Sequence, residues 1–176
     1  MRQRIFITIG IAAVALVATT AALAGTLSPT ATVTGASGIS MNLPSNPSLS
    51  DTLDGTDQTV SWSAILGLVD ARGSGAGWNL TIAATTFSDG SGHTLAAGSV
   101  SGVTAACVGG NSCTAASNSI SYPLTLSSTA AKFFNAAANS GMGKVNVTPS
   151  VDVAIPGNAY AGTYTSTVTL AAVSGP

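Results

Sequence analysis

Residues able to do chemistry are few in this chain and far apart. One histidine, His93, closes the polar run Asp89-Gly90-Ser91-Gly92-His93, with no second histidine, glutamate or cysteine near it. All six acidic residues are aspartate. General acid–base work needs titratable groups held together, and no pair of carboxylates stands out as a glycosidase dyad. Serine is abundant, but no Gly-x-Ser-x-Gly elbow presents one as a nucleophile. The inventory is that of a protein that is not an enzyme, with His93 a solvated turn residue.

Other constellations carry two readings each. Asp51, Asp54 and Asp57 flank Gly55. Clustered oxygens suit Ca²⁺, but the spacing matches no full calcium loop and aspartate equally favours turns. No metal or cofactor is therefore expected. Gly73-Ser74-Gly75-Ala76-Gly77 has the composition of a phosphate cradle. It runs into a strand pattern and not a helix, so a hairpin turn is the expectation. Trp78 offers an indole whose face stacks on sugars and whose N–H donates. It also shares strand parity with Leu80 and Ile82, which places it in a core; Trp62 carries the same two readings. Cys107 and Cys113 bracket Val108-Gly109-Gly110-Asn111-Ser112. In an exported chain they form a disulfide, since a metal site needs further ligands that one histidine cannot supply.

Strands must position these residues. Ile39, Met41 and Leu43 alternate with polar neighbours, as do Val60, Trp62 and Ala64. Trp78, Leu80, Ile82 and Ala84 share one parity, and Ile120, Tyr122, Leu124 and Leu126 another. Val145, Val147, Val151, Val153 and Ile155 alternate with an interruption at Pro149. Tyr160, Tyr164, Val168 and Leu170 oppose Thr163, Thr165, Thr167 and Thr169, which predicts Tyr164 and Val168 facing inward. Pro156-Gly157-Asn158-Ala159 is expected to join the two final strands as a hairpin. Helical spacing occurs only at Ala130, Phe133, Phe134 and Ala137. The fold expected is all-β, an antiparallel β-sandwich of short strands, with at most one short helix near 129–139.

Composition narrows the partners. Charged residues are 6% of the chain, against 45% hydrophobic; an average domain carries about a quarter charged. A basic nucleic-acid binder is thereby excluded. Arg2 and Arg4 precede an apolar run from Ile5 to about Ala18, and Ala22-Leu23-Ala24 is a small-x-small site before Gly25. That layout predicts a secretory signal peptide over 1–24, with an N-terminal membrane anchor as the rival. After cleavage Arg72, Lys132 and Lys144 stand against six aspartates, a net charge of −3. Residues 25–58, broken by Pro44 and Pro47, are expected to be an extended arm, and 59–176 the sandwich domain.

At this level a family resemblance enters. The stretch Val69-Asp70-Ala71-Arg72-Gly73-Ser74-Gly75-Ala76-Gly77-Trp78-Asn79-Leu80-Thr81-Ile82 resembles the proximal motif of WxL-domain proteins. The C-terminal run from Ile155-Pro156 through Tyr160-Ala161-Gly162-Thr163-Tyr164 to Thr169 resembles that family's closing hairpin. A second Trp-x-Leu follows there in the family; here those positions hold Leu170 and Ala172. The resemblance covers about residues 60–176. It implies a secreted β-sandwich held non-covalently on the bacterial cell surface, with peptidoglycan or another surface component as partner. Asp70, Arg72, Gly75, Trp78 and Leu80 are the ligand-surface candidates it singles out, and the degenerate distal motif implies weakened wall binding. A reading from another class stands beside it. A Thr/Ser/Ala-rich β protein could self-associate as a filament or biofilm subunit, its arm from Gly25 to Leu43 completing a neighbour's sheet.

Overall fold

The computed structural model describes residues 29–176, so the expected signal at 1–24 lies outside the described residues. In chain order the strands are β1 (Ile39–Asn42), β2 (Gln58–Ser63), β3 (Leu66–Asp70), β4 (Trp78–Ala84), β5 (Phe87–Ser88), β6 (Thr94–Leu95), β7 (Ser99–Cys107), β8 (Leu124–Thr125), β9 (Ala131–Ala136), β10 (Gly143–Ile155) and β11 (Val168–Ser174). One sheet runs β1-β3-β10-β7-β8, with β2 also on β10. A second runs β11-β4-β9, and β5 pairs β6 separately. Every pairing is antiparallel.

The alternating valines make β10 the spine. Val145, Val147, Pro149, Val151 and Val153 are all buried, so Pro149 does not interrupt the inward face. β3 pairs with the first part of β10, up to Val147, and β2 with the last part, from Ser150. Pro149 falls at the junction between them, where a residue without an N–H is tolerated. β7 covers the other flank of β10. Across the interior, β4 and β9 present Trp78, Leu80, Ile82, Phe133 and Phe134 to Leu66, Leu68, Val145, Val147 and Val151 in one buried cluster. Each such side chain contributes roughly 1.5–3 kcal/mol by leaving water. The all-β, antiparallel sandwich expected from the alternation is what forms. Part of the segment expected as an arm supplies β1, which is hydrogen bonded to β3 of its own chain.

Several expectations are corrected. The helical spacing near 129–139 belongs to a strand, β9. Its pairing with β4 slips between Leu80 and Thr81. A bulge breaks strict alternation, so adjacent Phe133 and Phe134 are both buried, and the sequence mimics a helical stripe. Neither expected hairpin exists. Gly73–Gly77 carries the chain from β3 to β4, and Pro156–Ala159 leads from β10 towards β11, in each case between sheets. Turn residues dictate that the chain reverses; which sheet it rejoins is decided by burial of the following strand. The final strand begins only at Val168. Leu170 and Ala172 keep the inward parity and pack against the core, but Val168 is 37% exposed and outside it. Of the alternation from Ile120 to Leu126, only Leu124–Thr125 is strand. The preceding loop instead covers the edge of β9, with Asn118 Oδ1 accepting from Asn135 N at 3.0 Å and Ser117 O from Ala137 N at 3.0 Å. Covering an edge in this way removes unpaired backbone groups from solvent.

Candidate functional site

Asp70 ends β3, and its side chain is 2% exposed. Burial of a bare carboxylate is costly, so a partner is required. Arg72 supplies it from two residues on: Nε donates to Oδ1 at 2.8 Å and Nη2 to Oδ2 at 2.9 Å. The Arg72 backbone N adds a bond to Oδ1 at 3.2 Å. The guanidinium holds the Asp70 carboxyl below the usual carboxylate range, with burial opposing it, and Asp70 raises Arg72 in turn. The remaining donors of Arg72 reach across the sandwich. Nη2 bonds Gly77 O at 2.7 Å, and Nη1 bonds Ser174 Oγ at the end of β11. One side chain thus ties β3, the crossing turn and β11 together, using the planar fork that lysine lacks.

The turn is held as tightly. Gly75 and Gly77 have φ of +63° and +71°. A Cβ on Gly77 would stand 2.5 Å from Ala136 O, and one on Gly75 2.6 Å from Asn139 Oδ1. Asn139 N donates to Gly75 O at 2.7 Å. Trp78 follows, wholly buried, its Nε1 donating to Gly141 O at 2.9 Å and its ring tilted against Phe134 at 5.7 Å. Leu80 is equally enclosed. Of the five ligand-surface candidates, Asp70, Arg72, Gly75 and Trp78 therefore meet at one end of the sandwich, and Leu80 lies deeper. Trp78 and Leu80 serve packing and have no outer face, so of the two readings of the indole the structure adopts the core one. The positions of the second motif lie beside the strand of the first: Leu170 opposes Ile82, and Ala172 opposes Leu80. The lost distal tryptophan is consequently a change in packing.

Cys107 and Cys113 are bonded to each other, with Cα atoms 5.7 Å apart. The ring links the end of β7 to the loop whose Thr114 O accepts from Gly141 N at 3.0 Å, and so buttresses the carbonyl that holds Trp78.

Asp51, Asp54 and Asp57 do not converge. Asp51 accepts from Thr52 N at 2.8 Å, Asp54 from Thr56 N and Oγ1 at 2.9 and 2.7 Å, and Asp57 from Gly157 N at 2.9 Å. They shape turns, and the bonds from Thr56 lower Asp54 below its ordinary range. No group of three metal-ligating side chains assembles among the described residues.

At the opposite end lies a feature that sequence reasoning missed. A groove of about 730 Å³ opens between the 47–53 segment and the 159–164 loop, floored by Val60, Val153 and Ile155. Tyr164, expected to face inward, lines this groove half-buried instead, and Tyr160 is 64% exposed there. Its ring stacks on His93 at 3.8 Å, and His93 Nδ1 meets Asp89 Oδ2 at 2.5 Å. That bond lowers the Asp89 carboxyl below its ordinary range. His93 is thus a placed side chain and not merely a solvated one. The groove walls come from distant stretches of chain that share no sequence pattern.

A family model described as WxL domain surface cell wall-binding matches residues 30–173. No curated protein and no solved structure gives a significant match.

Proposed function

The chain belongs to the WxL family of cell wall-binding surface domains, and on that footing we propose that it is a secreted, non-enzymatic protein that holds non-covalently to peptidoglycan. The family match over residues 30–173 carries this reading. Charge supports it in kind: 6% charged residues leave little for electrostatic attachment, so shape, hydrogen bonding and stacking must do the holding. The altered distal motif does not weigh against it, since Leu170 and Ala172 lie on the core-facing side of β11. The test is sedimentation of the exported, folded protein with purified peptidoglycan at low and moderate salt. The protein is expected in the pellet at both. Protein wholly in the supernatant at every salt overturns the reading.

A further inference from the structure

We propose that the groove between the 47–53 segment and the 159–164 loop is a glycan site that takes an extended, uncharged chain of N-acetylated sugars. The proposal rests on the wall-binding reading above and gives it a place. The volume of about 730 Å³ lies in the range of small-ligand sites. Its lining joins two chemistries that a sugar ring requires. Phe87, Tyr160 and Tyr164 supply aromatic surface for the apolar face of a pyranose, and Ser50, Asp51 and Thr163 supply partners for its hydroxyls. The Tyr160 ring is presented and not free to swing: it is stacked on His93, and Tyr164 Oη donates to Tyr160 O at 2.9 Å. The apolar floor of Val60, Val153 and Ile155 suits the methyl of an N-acetyl group.

Charge selects among wall polymers. Among the described residues, no lysine or arginine lines the groove, and Asp51 is its one carboxylate. Asp89 is held by His93, whose ring stacks on Tyr160 of the lining. Polyphosphate polymers and anionic lipids meet a negative rim here, whereas a neutral glycan meets no penalty. Among the described residues, the lysines lie elsewhere, and Lys132 Nζ donates to Pro176 O. Lys144 pairs with Val69 next to the Arg72 clamp, roughly 40 Å away along β10 at about 3.4 Å per residue. The two ends can therefore be perturbed separately.

The experiment titrates the exported protein with the tetramer of N-acetylglucosamine and, in parallel, sediments it with purified peptidoglycan. Wild type, Tyr160→Ala and Ala76→Gln are compared, and amide shifts are mapped on wild type. The tetramer is expected to shift Phe87, Thr163 and Tyr164 and to bind Tyr160→Ala about five- to tenfold more weakly, the loss of one stacked ring. Ala76→Gln, on the exposed turn at the other end, is expected to bind as wild type. Shifts confined to the Gly73–Gly77 turn overturn the proposal, as does tighter binding of an anionic wall polymer. Peptidoglycan held without any tetramer binding also overturns it while leaving wall attachment standing. Failure to bind either ligand removes both. The shift map on wild type decides the matter even if Tyr160→Ala does not fold.

Discussion

Replacing Arg72 with methionine tests the central claim about the motif, that it is a structural clamp. Methionine keeps much of the packed stem and removes the fork. Asp70, with 2% of its side chain exposed, loses the bonds from Nε and Nη2, while Gly77 O and Ser174 Oγ each lose a donor. Stranding one partner of a buried ion pair costs about 3–5 kcal/mol. For a domain of this size that lowers the midpoint of thermal unfolding by roughly 6–20 °C. The pH dependence supplies a sharper signature. In wild type the folded Asp70 pKa is depressed, mainly by the hydrogen bonds from Arg72. Its contribution is complete above the unfolded value of about 3.9 and fades as pH falls through the folded one. In the variant only desolvation remains prominent, which raises the folded pKa. The variant's deficit is then greatest at neutral pH and narrows in acid as Asp70 takes up a proton. Urea melts of both proteins at pH 7 and near pH 4 measure this. A deficit under about 1 kcal/mol that does not vary with pH would place the pair among solvent-screened surface bridges and refute the clamp.

Two further outcomes follow from packing and covalent structure. Val147→Ala, at a fully buried site on β10, is expected to cost about 1.5–3 kcal/mol in denaturant melts, and Val168→Ala, 37% exposed, well under half of that; equal costs would mean the core lies elsewhere. Replacing Cys107 and Cys113 together by serine is expected to cost on the order of 2 kcal/mol from loop-closure entropy, while non-reducing peptide mapping of wild type yields one cross-linked peptide; freely alkylated thiols in native and denatured protein alike would sink the pairing.

How far the sequence could be read depends on the range of the interaction involved. Alternation is local, and it located β4 and β10 because burial on one face writes itself into neighbouring residues. The cysteine pair was legible for the same reason, being close in sequence. What escaped was sheet membership. Gly73–Gly77 and Pro156–Ala159 look like hairpin turns, and nothing in them records that the next strand crosses to the other layer. The β9 bulge escaped because one inserted residue converts a period of two into spacing that passes for a helix. The groove escaped entirely. Its walls come from residues 47–53, from Phe87 and from 159–164, which share no pattern and meet only through the fold.

With the groove as the proposed glycan site, the two ends of the sandwich have separate roles. At one, the hallmark residues are consumed by the fold: Arg72 spends its donors on Asp70, Gly77 and Ser174, and Trp78 spends its N–H on Gly141. Trp78, with its one polar atom committed and its surface enclosed, has nothing left to offer a ligand. The motif therefore identifies the architecture, and the substitution of Leu170 for the distal tryptophan adjusts the interior opposite Ile82. At the other end, Tyr160 is exposed yet anchored by a stacked histidine, and among the described residues no lysine or arginine joins Asp51 in the groove lining. An exposed aromatic held in place costs little conformational entropy on binding, which is the condition under which a weakly charged surface can still grip a neutral polymer. Because the clamp end carries no such surface, strengthening or weakening the motif should move stability, while altering the tyrosine loop should move affinity and leave stability nearly unchanged.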